Sequence, residues 1–296
     1  MIQNKFIAAL LLAFIITVLP QAAMADTSSG DVTVTLGEDL TEAQKNNVLE
    51  EMNAGDSAEI ITVTNEEEHN YLGEYMSASD IGERAISSSK ITAGQEGDGI
   101  HVETNNITKI TEAIYANTLI TAGVGDAEVY ITAPFDVSGT AALTGIIKAY
   151  EIQNDIDIPE EQKKVANEEM VKTSELGERI GMEEAAELMT RVKEEISETS
   201  VESEEDLREL VQRIANEMGI ELTEEELNGI VSLFDRMKDL NINWDQVQNQ
   251  ITQIRDNLDE FLNREDTQSF IDSFLDFLNS LIEAVKGWFG EETESA

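Results

Sequence analysis

From Asp31 to Glu151 the hydrophobic pattern switches between a period of two and a helical period; beyond Asn154 only the helical period remains. No all-α or all-β fold accommodates that switch. Val32, Val34 and Leu36 alternate as in a half-buried strand, and Ile60, Ile61 and Val63 form a second strand candidate. Ile100 and Val102 mark a short third, and Ala127–Ala133 a fourth that Pro134 ends. Between them helices are predicted from the capping box at Thr41 through Met52, over Glu66–Met76, over Ile110–Leu119 before Gly123, and over Gly139–Tyr150. Such alternation predicts an α/β N-terminal domain over residues 26–152, with residues 153–158 as linker. An all-α, acidic helical C-terminal module follows over 159–290, with 291–296 as a disordered tail. Its helix starts recur at Pro159-Glu160-Glu161, Ser203-Glu204-Glu205 and Thr223-Glu224-Glu225-Glu226. Breaks are expected near Gly177–Gly181, Ser200, Gly219, Asn241 and Arg264.

The first 25 residues read as a cleavable secretory signal. Lys5 supplies the charge, Phe6–Leu19 the apolar run, Pro20 the break, and Ala23-Met24-Ala25 the small-x-small cleavage pattern. No cysteine follows to carry a lipid, and none stands anywhere in the chain, so disulfides cannot stabilise it. The expected location is therefore secreted or extracellular, with loose attachment to the wall. No transmembrane segment is expected in the mature chain.

Sixty-one acidic residues against 19 basic ones give a formal net charge of -42, spread over both halves. Phosphate backbones need a basic footprint, so nucleic acid is excluded as a partner. Anionic wall polymers or lipid headgroups would be repelled unless divalent cations bridge them. No dedicated cation loop is present. Asn241-x-Asn243-x-Asp245 has Gln246 where an EF-hand needs Gly, and Thr252 where it needs Glu. His69 and His101 are the only histidines, so no metal site and no cofactor is expected.

Two short stretches carry candidate chemistry. Ser87-Ser88-Ser89-Lys90 has the S-x-x-K spacing that sets a lysine amine beside a nucleophilic serine, but the S-D-N and K-T-G companions are missing. A polar turn entering a strand at Ile91 is the expected role, with Ser87 and Lys90 kept as weak catalytic candidates. Ser138-Gly139-Thr140 leaves a strand and opens a helix, where backbone N–H groups and two hydroxyls could hold an anion. A capped strand-to-helix turn is the competing reading. Near the C-terminus, Phe270, Phe274, Phe277, Leu281 and Trp288 share one broad helical face. They are expected to pack inside the helical module, with partner binding as the alternative.

The runs Asn117-Thr118-Leu119-Ile120-Thr121-Ala122-Gly123, Asp126-Ala127-Glu128-Val129 and Ala133–Gly145 resemble the YpuA-like family of exported Gram-positive proteins. That family has no known function. Asp136 departs from its pattern, where a proline is more typical. The resemblance implies an extracellular or wall-associated location and a role in envelope maintenance, and it implies no catalytic residues. The expected function is a non-enzymatic envelope or secreted binding protein whose partner is an envelope protein or wall component. The competing expectation is an extracellular hydrolase acting on a cell-wall or peptide substrate.

Overall fold

A computed structural model describes residues 30–262 except 56, 200, 202 and 241, with side chains described as far as Arg255. The expected signal over 1–25, the apolar face from Phe270 to Trp288 and the tail at 291–296 lie outside these residues. Five strands form one mixed sheet: β1 (Val32–Gly37), β2 (Glu59–Val63), β3 (Ser88–Ala93), β4 (Ile100–Ile107) and β5 (Ala127–Val137). Their order is β2-β1-β3-β5-β4. β1 runs parallel to β2 and β4 parallel to β5, whereas β3 is antiparallel to both its neighbours.

The two-residue period of β1 sets what each face meets. Val34 and Leu36 pack with Val48 of helix α1 (Glu42–Glu51) and with Met52, which caps its C-terminus. Thr33 and Thr35 are buried on the other side, where α5 (Thr140–Asn154) lies across β1 and β3. Gly145 permits that approach, since a Cβ there would stand 3.0 Å from Thr35 Cβ and 3.1 Å from Val63 Cγ2. α1 opens on the expected capping box of Thr41 and Gln44, and α2 (Asn65–Leu72) on a second one of Thr64 and Glu67. α2 ends earlier than the pattern predicts. Gly73 caps it, and the chain re-enters a single turn, α3 (Ala78–Ile81), behind the N-cap Ser77. α4 (Glu112–Ala122) closes at Gly123, whose φ of 86° is the left-handed cap that glycine adopts most easily.

Two strands differ from expectation. β5 runs through Pro134 instead of stopping there. Its pairing with β3 ends at Thr132, so the missing proline N–H removes no ladder bond on that side. The serine run is not a turn: Ser88–Lys90 begin β3, the central strand of the sheet. Hydroxyls that look like solvated turn groups are buried and paired instead. Thr35 Oγ1 and Ser89 Oγ are 2.5 Å apart, and Ser88 Oγ accepts from the Gly37 N–H at 3.2 Å.

Beyond Asn154 the described chain is helical: α6 (Glu160–Ile180), α7 (Met182–Glu198), α8 (Glu204–Glu217), α9 (Glu224–Asp239) and α10 (Trp244–Leu262). The first four breaks fall where expected, with Gly181 and Gly219 at positive φ, and the one expected near Arg264 lies outside the described residues. α6 and α7 pack on α4, α9 on α6 and α10 on α7. One apolar cluster runs unbroken from Leu72 in α2 to Ile251 in α10. At its centre Lys193 of α7 and Glu169 of α6 form a fully buried ion pair at 2.5 Å. Among the described residues no helix is long and apolar enough to cross a membrane.

Candidate functional site: an amide-lined cleft

α10 is amphipathic in an unusual way for so acidic a chain. Val247, Ile251 and Ile254 face the core, while Gln246, Asn249, Gln250 and Gln253 line the adjoining, helically spaced face. That face closes a cleft of about 580 Å³. Its floor is the end of β3 at Ala93 and Gly94 and the start of β5 at Gly125–Ala127. The last turn of α5 supplies Tyr150, Gln153 and Asn154 to the opposite wall.

Backbone geometry shapes the cleft. A Cβ on Gly125 would stand 3.0 Å from Tyr150 Oη, so glycine lets the ring in. The Gly125 backbone then hydrogen-bonds the Tyr150 hydroxyl, and burial pushes that phenol's pKa up. Asp126 Oδ1 accepts from the Gly99 N–H at 2.7 Å and from Gln250 Nε2 at 3.3 Å. Because a carboxylate only accepts, Gln250 must turn its amide nitrogen to Asp126. Its Oε1 is thereby left without a partner, in a side chain only 4% exposed. Gln253 Oε1 is likewise buried and without a partner. Seven of the lining residues are Asn or Gln and none is Lys or Arg.

A family model described as a protein of unknown function, DUF1002, matches residues 36–254. The chain belongs to the DUF1002 family. It is 47% identical to an uncharacterized protein, YpuA, of Bacillus subtilis (strain 168), over 97% of this chain and 99% of that one. No solved structure matches. The DUF1002 region takes in every residue of the cleft, from Ala93 to Gln253.

Elsewhere in this DUF1002 chain, the structure separates the two stretches of candidate chemistry. Lys90 Nζ donates to the Met52 carbonyl at 2.8 Å, on the α1 side of the sheet. Ser87 is buried just before β3. Ser138 and Thr140 sit at the start of α5 with hydroxyls 3.2 Å apart. There the helix N-terminus already has an anionic group, from within the chain: Thr140 Oγ1 donates to buried Glu68, which also accepts from Asn65 Nδ2 at 3.2 Å. Gly139 is pinned as well, its carbonyl accepting from the Tyr115 hydroxyl at 2.6 Å. A smaller cavity of about 200 Å³ between α2, α5 and α6 contains Lys148 and Lys163, but these pair with Glu67 and Glu151. Among the described residues no group of three or more His, Asp or Glu is placed to hold a metal ion.

Glu68 has a pH signature. Burial raises its pKa above the ordinary 4.5, and the hydrogen bonds from Thr140 and Asn65 only partly oppose this. The folded state thus holds this proton more tightly than the unfolded one. The stability Glu68 contributes is complete below about pH 4.5 and is lost as pH rises through the folded value. Glu68→Gln stays neutral throughout. Urea melts should show the variant gaining on the parent as the pH is raised from 4 to 7. A pH-independent difference between the two would contradict this.

The cleft is not predicted from the sequence, although a signal is there. Asn241–Gln253 is dense in amides, but amides carry no catalytic or metal motif, and the spacing there suggests only an imperfect cation loop.

Proposed function

We propose that this DUF1002 protein is exported and acts at the cell envelope as a non-enzymatic binding protein, with the amide cleft as its recognition site. The observation that carries the reading is the lining of the cleft. Amides position and recognise polar ligands through paired donors and acceptors, but they supply neither a nucleophile nor a general base. Of the three carboxylates on the lining, Asp126 on the floor is engaged by Gly99 and Gln250, and Glu96 and Asp245 stand among the amides. The leader pattern at 1–25 and the net charge of -42 support work outside the cytoplasm, on partners that are not polyanions unless cations bridge them.

The test uses the full chain expressed with its leader in a Gram-positive host. Mass spectrometry of the medium and wall fractions should find a mature N-terminus at Asp26. The purified protein should be retained on isolated walls without releasing soluble sugar or peptide, and comparison with and without EDTA reports cation bridging. An intact Met1 on cytoplasmic protein would overturn the location. Progressive release of wall fragments would favour the hydrolase instead.

A further inference from the structure

We propose that the cleft binds an uncharged carbohydrate, an oligosaccharide of N-acetylhexosamine or hexose units. This rests on the binding-protein reading and gives it a ligand class. A sugar hydroxyl donates and accepts at once, and so does the side chain of Asn or Gln, whereas ammonium and guanidinium groups only donate and carboxylates only accept. A wall built of amides is therefore matched to a dense array of hydroxyl and acetamido groups. The volume of about 580 Å³ lies within the range of small-ligand sites and has room for more than one sugar ring.

The buried acceptors make the case specific. Gln250 Oε1 and Gln253 Oε1 have no partner in the protein. A buried acceptor left unmatched is destabilising, and a ligand O–H or N–H pointing into the cleft would offset that cost. Charge narrows the class further. With Glu96, Asp126 and Asp245 on the lining and no lysine or arginine, phosphorylated or carboxylated ligands are repelled. Peptides are the main competitor, and they are usually held by strand addition or by pockets for apolar side chains. The strands bordering the cleft, β3 and β5, are interior strands paired on both sides, so no edge is available. The walls are polar, with Tyr150 the single aromatic side chain among the lining residues.

The experiment is calorimetric titration of the mature chain with fully N-acetylated chitotetraose, with cellotetraose and with a neutral tetrapeptide. Chitotetraose or cellotetraose should bind with a Kd below about 1 mM. Gln250→Ala and Asn249→Ala should each weaken that binding at least tenfold. Circular dichroism checks that both variants fold, and Asn249 is the safer site because it has no partner carboxylate to disturb. No heat from either saccharide, binding of the peptide alone, or undiminished saccharide binding by both folded variants would overturn the inference. If the saccharides fail while the protein is still retained on isolated walls, only the ligand class falls; if retention fails too, so does the binding-protein reading.

Discussion

Replacing Lys193 with methionine should destabilise the protein by about 3–5 kcal/mol, the usual consequence of stranding one half of a buried ion pair. Lys193 and Glu169 are 1% and 0% exposed at their side chains. The ammonium is held by the Glu169 carboxylate at 2.5 Å, the Asn117 carbonyl at 2.7 Å and Asn117 Oδ1 at 2.8 Å. The other Glu169 oxygen accepts from Thr121 Oγ1 at 2.5 Å. Burial drives the two groups toward their neutral forms, lowering the lysine pKa and raising that of the glutamate, while their mutual attraction opposes it. Methionine keeps the shape of the stem but leaves a buried carboxylate facing apolar neighbours. The double variant Glu169→Leu with Lys193→Met removes both charges and should recover more than half of the loss. It should not recover all of it, because Asn117 Oδ1 then lacks its donor. Guanidinium melts of the parent, the single and the double variant measure this. A double variant as unstable as the single one would mean that the pair contributes its geometry and not its charge balance.

Gly139→Ala should be strongly destabilising, costing roughly 2–5 kcal/mol in all. Gly139 has φ 100°, in the left-handed region, where a Cβ carries a penalty of about 1–2 kcal/mol. The rest is steric. The added methyl would land on the Tyr115 hydroxyl and 2.6 Å from Ile107 Cγ2, and overpacking of this kind costs about 1–3 kcal/mol. Tyr115 is fully buried and tied to the Gly139 carbonyl, so it cannot swing aside. Gly219→Ala separates the two contributions. Gly219 has φ 71° but nothing within 4 Å of its absent Cβ, so only the backbone penalty should appear. Equal losses at the two sites in parallel urea melts would exclude the steric part.

Local chemistry was the most legible part of the sequence. The boxes at Thr41 and Thr223 and the cap at Ser203 each start a helix, because a side-chain oxygen in reach of the third N–H is a purely local device. β1 was legible through the alternation of Val32, Val34 and Leu36. β3 was much less so. Its serines are stabilised by Thr35 and Gly37, more than 50 residues earlier in the chain, and no local window contains those partners. The cleft failed for the same reason on a larger scale. Gln250 takes its meaning from Asp126, more than 120 residues away, and only the packing of α10 brings them together.

The apolar cluster that passes from α2 through α4 to α10 also decides what the chain can be divided into. Secondary-structure type changes at Asn154–Pro159, which looks like a natural place to cut, graft or recombine. Yet α4 meets both α6 and α7, so a fragment ending there would carry the bare flank around Leu119 and Ile120 into water. The other fragment would carry the complementary face of α6. Each would be adhesive, and neither would own a finished interior. The two halves therefore share one interior and stand or unfold together.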